Sequence, residues 1–175
     1  VEYNPYTDTF LTLQFAFDDE YEGQPVVFDD IYEYDRSGNV VWYWNCSQHI
    51  PFNKTDYEIR KMMLAEGPDW THANTIFWDI EENCIYFNCR ELDTLYKINK
   101  TSGEIIWSAG RLGNLTLYDI YGRRRSTLWY HSHAVERVGP NRFVLFDNDF
   151  WNMSRPDPYR GISRLVEIEV DEEAG

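Results

Sequence analysis

The alternation of apolar and polar positions between Asp69 and Gly110 predicts four short β-strands separated by polar turns. The four segments read HANTIFW, NCIYFN, TLYKI and EIIW, and they begin at residues 72, 83, 94 and 104. Such a run is typical of an antiparallel meander, in which consecutive strands are neighbours in one sheet. A single meander cannot bury both of its faces, so this unit requires neighbouring sheets.

The same pattern recurs on both sides of this segment. The turn YDRSGNVVW, which begins at Tyr34, matches INKTSGEIIW, which begins at Ile98, and a third copy begins at Leu165. Strand starts also match, because the pair His-Ala occurs at His72 and again at His133. The chain therefore divides into three repeat units, at about residues 1–44, 69–110 and 133–175. We expect the first unit to lack its beginning and the third to lack its end.

Repeats of about 40–50 residues that each form a four-stranded meander are typical of β-propeller blades. The sequence therefore predicts an all-β fold in which residues 1–175 belong to a single β-propeller domain. A propeller ring needs at least about four blades. These residues are thus expected to form about two and a half to three blades of a larger propeller. The alternative is a small, open β-sandwich that is complete in itself.

The connecting segments carry weaker patterns. The acidic segment 15–30 predicts a loop, and residues 31–44 predict a hairpin around Gly38. The apolar spacing within 57–65 favours two turns of helix. Further connections are expected at 111–130, which contains three consecutive arginines, and at 147–161, which contains two prolines.

The composition of the chain favours some classes of protein and argues against others. Aromatic residues make up 17% of the chain, which suits strand faces and packing between blades. The formal net charge of -14 argues against a nucleic-acid-binding surface, and no apolar run reaches the length of a membrane span. The sequence contains neither a nucleotide-binding loop nor a metal-ligand cluster, so we predict no cofactor and no metal.

The three cysteines lack the spacing of a metal site. Cys84 and Cys89 are five positions apart on one predicted strand, so they are expected to point to opposite faces and not to pair together. A disulfide between Cys46 and either of them is one alternative. Buried free thiols are the other.

Five Asn-x-Ser/Thr sequons lie in predicted turns or loops, at Asn45, Asn53, Asn99, Asn114 and Asn152. This motif is the acceptor of N-linked glycans in secreted proteins. The sequons favour a glycosylated extracytoplasmic protein, whether it is secreted, periplasmic or bound to a cell surface.

The matched histidines are the strongest candidates for chemistry. The first strand of each propeller blade lines the central channel, so His72 and His133 are expected to converge there. An imidazole titrates near neutral pH and can act as nucleophile, base or acid. The alternative is that each histidine only caps a strand or hydrogen-bonds a turn.

Two arginines are further candidates. Arg90 ends a predicted strand, where its planar guanidinium can bind an oxyanion or form an ion pair with Glu91 or Asp93. Arg164 begins another predicted strand and presents the same two alternatives. Arg90 is therefore a candidate catalytic residue together with His72 and His133, and Arg164 is a candidate substrate-binding residue.

The segments that carry these features resemble the aryl-sulfate sulfotransferase family. The similarity covers most of the chain outside its loops and lies in seven segments, which begin at residues 33 (EYDRSGNVVWYW), 69 (DWTHAN), 88 (NCR), 97 (KINKTSGEIIWSAG), 133 (HAVERV), 145 (LFDN) and 162 (ISRLVEI). The turns between strands are generic to propellers. The combination of the two histidines with the arginine is the specific part of the pattern.

The resemblance implies a six-bladed propeller that moves a sulfuryl group from a phenolic sulfate ester to another phenol without a nucleotide sulfate donor. It further implies that His133 becomes transiently sulfated, as a sulfohistidine. His72, Asn74 and Arg90 match residues that hold the sulfate and stabilise its charge. The partners implied are an aryl sulfate and a phenol, together with the rest of the propeller, supplied by further sequence or by another chain in a homo-oligomer or larger assembly.

The chain departs from the family pattern at two places. Ser132 stands where the family commonly has Gln, and His131 leaves the nucleophile between two imidazoles. A further family histidine belongs to an earlier blade, upstream of Val1. Two other functions therefore stay open: a hydrolase that uses water as acceptor, and a catalytically inactive, glycosylated extracellular propeller with a binding, structural or assembly role.

Overall fold

Three antiparallel sheets make up most of the computed structural model, which describes residues 1–60, 68–150 and 161–174. In chain order the elements are β1 (Glu2–Asn4), β2 (Thr9–Tyr21), β3 (Gln24–Asp35), β4 (Val40–Trp44), α1 (Cys46–His49), α2 (Lys54–Arg60), β5 (Ala73–Asp79), β6 (Cys84–Cys89), β7 (Thr94–Asn99), β8 (Ile105–Gly110), β9 (Leu117–Tyr118), β10 (Arg124–Arg125), β11 (His133–Gly139), β12 (Arg142–Asp147) and β13 (Arg164–Glu169).

Each sheet is a meander whose consecutive strands are hydrogen-bonded neighbours. The strand orders are β1-β2-β3-β4, β5-β6-β7-β8 and β11-β12-β13, and a small separate hairpin joins β9 to β10. The predicted all-β fold of four-stranded antiparallel blades is therefore confirmed. Within the described residues the third blade has three strands, and the three blades do not close a ring.

Short polar side chains shape the turns that produce the repeat. Asn99 accepts a hydrogen bond of 2.9 Å from the backbone N–H of Thr101, and Gly103 follows with φ +75°. Asp35 accepts backbone N–H groups in the same way before Gly38, at φ +83°. A side chain that mimics a backbone turn, followed by a left-handed glycine, is a favoured way to reverse a strand.

The second sheet is buried on both faces, because the first and third sheets each pack on one of them. The core shared with the first sheet includes Leu11, Phe28, Ile31, Trp44, Ile85, Phe87 and Ile98. The core shared with the third sheet includes Tyr86, Leu95, Trp107, Phe143, Leu145 and Ile168. Full burial of one such side chain stabilises the fold by about 1.5–3 kcal/mol. The neighbours that a single meander requires are thus present.

Segment 15–30 forms a long hairpin, so its prediction as a loop is wrong. β2 extends to Tyr21 and β3 begins at Gln24. Both Tyr21 and Val26 are buried, and the ring of Tyr21 packs edge-on against Tyr57 of α2 at 5.1 Å. The acidic side chains near the tip are exposed, so they do not oppose strand formation. Contacts from outside the segment stabilise this hairpin, although the acidic composition of the segment predicts a loop.

The other connections follow the predictions in part. The hairpin within 31–44 is formed by β3 and β4, whereas segment 111–130 contains the unpredicted hairpin β9–β10. The predicted helix at 57–65 overlaps α2, but residues 61–67 lie outside the described residues, as do residues 151–160 of the predicted loop. Among the described residues, no helix is both long and apolar enough to cross a membrane.

All three cysteines are free and buried, so the buried-thiol alternative is the one that the structure contains. Cys89 belongs to the core shared with the first sheet, together with Cys46. Cys84 lies at the opposite end of β6 and donates to the carbonyl of Glu82 at 3.4 Å. Burial raises the pKa of the Cys46 and Cys89 thiols, which keeps both in the unreactive protonated form.

Candidate functional site

The two matched histidines lie where the second and third sheets meet. His72 immediately precedes β5, and His133 is the first residue of β11. The side-chain amide of Asn74 donates to the carbonyl of Ser132 at 2.8 Å, and that of Asn88 donates to the same carbonyl at 3.1 Å. These bonds fix the residue before His133 against the second sheet, so the two histidines occupy neighbouring strand starts.

Both polar atoms of the Asn74 side-chain amide form hydrogen bonds within the protein. Its oxygen accepts from Asn88 Nδ2 at 2.9 Å, while its nitrogen holds the carbonyl of Ser132. The Ser132 hydroxyl is buried and donates to Asn88 Oδ1 at 3.0 Å. Asn74 therefore bridges two sheets directly beneath the histidines.

Neighbouring carboxylates hold His72 in an unusual backbone conformation. Its φ is +42°, and Nδ1 is hydrogen-bonded to Asp69 Oδ2. Asp29, from the first sheet, accepts from the Thr71 hydroxyl at 2.7 Å and from the Ala73 backbone N–H at 2.6 Å, one residue to either side. The bond to Asp69 raises the pKa of His72, although burial opposes this. Nε2 remains as the ring nitrogen not bound to Asp69.

An ion pair with Glu91 positions Arg90, as one of the two sequence alternatives predicted. Arg90 Nε donates to Glu91 Oε1 at 2.8 Å, and the Arg90 backbone N–H donates to the His72 carbonyl at 3.3 Å. The carboxylate of Glu91 is fully buried, and its Oε2 lies 3.7 Å from Arg60 Nη1 and 3.5 Å from His131 Nε2. The Arg90 side chain is 27% exposed, so the guanidinium remains accessible while Glu91 holds it in place.

A second layer of buried charges supports this pair. Asp56 accepts from Arg60 Nε at 3.0 Å and from Arg111 Nη1 at 2.5 Å, and Arg111 Nε lies 3.2 Å from Asp93 Oδ2. Burial raises the pKa of Asp93 to about 6, even though the backbone N–H of His131 donates to it. Buried charges are tolerated when they are paired. Each charged side chain of this layer has an oppositely charged partner within 4 Å.

The imidazoles of His131 and His133 have different surroundings. Burial lowers the pKa of His131 to about 4, and its ring packs against Phe150 at 5.0 Å. Burial also lowers the pKa of His133, and the nearby charges of Arg90 and His72 lower it further. The pKa of His133 therefore lies below the ordinary value of 6.5, which favours the neutral imidazole, with a nitrogen lone pair, near pH 7.

Arg164 takes part in a different set of contacts. Its Nε donates to Asp147 Oδ2 at 2.8 Å, and its Nη2 donates to the carbonyl of Leu128 at 2.8 Å. The fully buried Asp147 also accepts from the backbone N–H of Tyr130 at 2.8 Å. Arg164 thus anchors the approach to β11 and borders a groove of about 400 Å³ beside the β9–β10 hairpin.

Sequence reasoning assigned no role to Asp69, Asp29 or Ser132, although each supports the group. Asp69 precedes His72 by three residues, a spacing too common to carry a signal by itself, and Asp29 comes from another blade. Among residues 1–60, 68–150 and 161–174, no three His, Cys, Asp or Glu side chains are grouped so that they could hold a metal ion.

Comparison with known proteins gives one match. A family described as arylsulfotransferase (ASST) matches residues 8–175. Neither the curated proteins nor the solved structures include a match to this chain.

Proposed function

Because the chain belongs to the arylsulfotransferase family, we propose that it transfers a sulfuryl group from a phenolic sulfate ester to a phenol acceptor, without a nucleotide sulfate donor. The proposed intermediate is a sulfohistidine at His133. The observation that supports this proposal is the placement of His133 and His72 at neighbouring strand starts, with the Arg90 backbone N–H donating to the His72 carbonyl at 3.3 Å. Burial lowers the pKa of His133, and the charges of Arg90 and His72 lower it further.

In the proposed first step, the lone pair of a His133 ring nitrogen attacks sulfur. The N–S bond forms as the S–O bond to the aryl group breaks, and the phenolate leaves with the electron pair. In the second step the acceptor phenol oxygen attacks sulfur. The O–S bond forms as the N–S bond breaks, the imidazole of His133 leaves with the electron pair, and the phenol proton passes to solvent. Dividing the transfer in this way gives ping-pong kinetics. An imidazole whose pKa is lowered by burial and by neighbouring charge is free to attack at neutral pH.

His72 and Arg90 are proposed to stabilise negative charge on the sulfuryl oxygens. Asp69 raises the pKa of His72 and orients its ring through Nδ1, which favours a cationic donor at Nε2. Glu91 fixes the guanidinium of Arg90 before substrate binds. Donors held in advance in this way cost no reorganisation, and one such donor contributes about 3 kcal/mol in other enzymes.

Asn74 and Arg164 are proposed to act on the substrate indirectly. The contacts of Asn74 support a role in setting the position of His133 through the carbonyl of Ser132. Those of Arg164 support a role in fixing the segment before β11 through Asp147. The assignment of Asn74 differs in kind from the direct sulfate contact that the resemblance implies. That of Arg164 differs from the substrate binding predicted from its place at a strand start.

The test uses the whole native protein, a chromogenic aryl sulfate and a phenol acceptor. After a rapid quench, sulfated peptides are mapped under cold, alkaline conditions that preserve the N–S bond. We expect release of the chromogenic phenol, a sulfated acceptor and label on the His133 peptide. His133→Gln should reduce release by at least about a thousandfold, whereas the matched control His131→Gln should retain both release and label.

Each other outcome points to a different function. Label on His131 would keep the reaction and move the nucleophile. Release without a sulfated acceptor would indicate a hydrolase. No release and no label from folded protein, with several phenols tried, would favour the catalytically inactive binding or structural role.

We also propose that the protein is an extracytoplasmic glycoprotein. The support is the position of its sequons, because Asn53 and Asn114 are exposed in the structure. A glycan on either residue would project into solvent.

A further inference from the structure

The first and second blades share a strand register, which makes positions in one blade comparable with positions in the other. Asp35 ends β3 and Asn99 ends β7, and each accepts a hydrogen bond from the backbone N–H two residues later. Their register partners are Thr9, at the start of β2, and Cys84, at the start of β6. Residues at equal distances along the chain from these four therefore occupy equivalent positions.

Two equivalent pairs lie at the strand ends nearest the histidines. Six residues after the starts of β2 and β6 lie Phe15 and Arg90, and six residues before the ends of β3 and β7 lie Asp29 and Asp93. The two aspartates support this equivalence, because each accepts a hydrogen bond from a backbone N–H at the entry to the next blade, Asp29 at 2.6 Å and Asp93 at 2.7 Å. The first blade thus presents Phe15 where the second blade presents Arg90.

The side chain of Phe15 lies on the face of the first sheet that packs against the second. Strand β2 runs without a register shift as far as residue 16, so Leu11, Leu13 and Phe15 share one face. Leu11 is fully buried in the core between the two sheets, and Leu13 packs against that core. Phe15 comes next on this face and is 75% exposed. Its ring therefore lies at the junction of the first two blades, just beyond their shared core.

The pairing of β2 with β3 places Phe15 beside the segment that carries His72. Phe15 is directly opposite Asp29, and side chains opposite each other in an antiparallel pair share a face, with Cβ atoms about 4.5–5.5 Å apart. Asp29 in turn accepts hydrogen bonds from Thr71 and Ala73, the neighbours of His72 on either side. Cα atoms of β2 and β5 also approach within 8 Å of each other. An exposed aromatic ring therefore stands next to a candidate catalytic histidine.

We propose that Phe15 is a specificity-determining residue that binds the aromatic ring of the substrate. This role rests on the proposed function, because it concerns the aryl group of the sulfate ester. Arg90 offers a charge that suits the sulfuryl oxygens, whereas Phe15, at the equivalent place one blade earlier, offers an uncharged ring. Two aromatic rings attract each other in offset or edge-to-face arrangements, with centroids about 4.5–7 Å apart.

One ring-binding residue is sufficient for both substrates of the proposed reaction. In a ping-pong transfer the donor phenol leaves before the acceptor phenol binds, so the two rings occupy the site in turn. A residue that contacts the ring and not the sulfuryl group stabilises the bound substrate and the transition state alike. Its loss therefore raises KM for donor and acceptor and leaves kcat nearly unchanged.

The experiment uses the whole native protein and the variant Phe15→Leu, which removes the aromatic ring and keeps an apolar side chain. We expect kcat/KM for phenyl sulfate to fall about three- to tenfold, through a higher KM, with kcat within about twofold of the wild type. KM for the phenol acceptor should rise in parallel. Phe15→Tyr keeps the ring and should retain wild-type constants.

A matched control separates ring binding from damage to the fold. Tyr6 is 85% exposed in the turn between β1 and β2, at the opposite end of β2 from Phe15. Tyr6→Leu should leave both KM values unchanged. A second readout is the preference for naphthyl sulfate over phenyl sulfate, which depends on contact with the larger ring. Phe15→Leu should reduce this preference, whereas a general structural defect would slow both donors equally.

Binding of 4-nitrophenol, measured by isothermal titration calorimetry, separates this role from the proposed reaction. If the wild type transfers no sulfuryl group, the proposed function fails, but weaker 4-nitrophenol binding by Phe15→Leu than by Tyr6→Leu would still support ring binding. Unchanged KM, donor preference and 4-nitrophenol affinity in Phe15→Leu would overturn the role of Phe15, even in an active enzyme. Equal losses in Phe15→Leu and Tyr6→Leu, or a wild type that does not bind 4-nitrophenol, would overturn it too.

Discussion

At the scale of single residues, three histidines show how the surroundings of a side chain set its pKa. Asp69 raises the pKa of His72, whereas burial lowers the pKa of His131 and His133. One residue type thus supplies an imidazole whose protonated form is favoured, at His72, and one whose neutral form is favoured, at His133. When the surroundings shift the pKa values of similar side chains apart, one side chain can act as an acid and another as a base.

The buried His131 predicts a loss of stability on acidification. Its folded pKa is about 4, below the ordinary value of 6.5, so between these values the unfolded chain takes up a proton that the folded chain does not. The free energy of unfolding should therefore fall as pH drops through this window, by up to about 1.4 kcal/mol per pH unit. Urea unfolding at about pH 7 and about pH 4.5 measures the loss, which should be smaller in His131→Gln.

The carboxyl of Asp93 changes stability with pH in the opposite direction to His131, so it serves as a control. Its folded pKa is about 6, above the ordinary 3.8, so the folded state retains a proton that the unfolded chain releases, and this contribution to stability falls as pH rises between those values. Asp93→Asn should therefore lose more stability on acidification than the wild type. Parallel pH curves for the wild type and both variants would contradict the two assignments.

At the scale of elements, the long β2–β3 hairpin supports the site from a neighbouring blade. Its tip packs against α2 through Tyr21. Strand β3 of this hairpin also carries Asp29, which accepts hydrogen bonds from Thr71 and Ala73 on either side of His72. The hairpin therefore links the first blade to the candidate site in the second.

Asp29→Ala is predicted to destabilise the protein by about 1–3 kcal/mol, because it leaves the buried Thr71 hydroxyl and the partly buried Ala73 N–H without their acceptor. The urea midpoint, measured with an unchanged denaturant slope, gives this difference. Glu20→Ala, on the exposed part of the same hairpin, is the matched control and should change stability by less than about 0.5 kcal/mol. Equal effects of the two substitutions would show that Asp29 does not hold the site.

At the scale of the whole molecule, the stacked blades leave particular sequons open to solvent. The side-chain nitrogen of Asn45 donates to Asp18 at 2.6 Å and to the Tyr43 hydroxyl at 2.8 Å, so a glycan there disrupts two hydrogen bonds. Asn53 and Asn114 are exposed and use only their side-chain oxygens in the bonds described. The fold therefore distinguishes sites that the sequence motif treats as equal.

We predict high glycan occupancy at Asn53 and Asn114 and lower occupancy at Asn45 in protein purified from its native source. Enzymatic deglycosylation in heavy-oxygen water, followed by peptide mass spectrometry, marks each asparagine that carried a glycan. Unmodified peptides at every sequon would contradict the extracytoplasmic assignment. Full occupancy at Asn45 would contradict the argument from its hydrogen bonds.

The repeating blades were predictable because strand alternation and turn chemistry are local. The polar turns before Gly38 and Gly103 and the apolar strands beside them are read within a few residues, and the structure contains both hairpins. The β2–β3 hairpin was not predictable in this way. Within residues 15–30 its buried apolar side chains are Tyr21, Val26 and Phe28, and the helix that covers Tyr21 lies far along the chain.

The candidate site was likewise predictable from the sequence only in part. The sequence by itself determined that His72 and His133 recur at equivalent strand starts and that Arg90 ends a predicted strand, and so it selected these three residues. Only the tertiary structure decided that Glu91 holds Arg90 and that Asn74 reaches the carbonyl before His133. Periodicity and turn propensity act over a few bonds, whereas burial, pairing of charges and pKa depend on groups brought together from different blades.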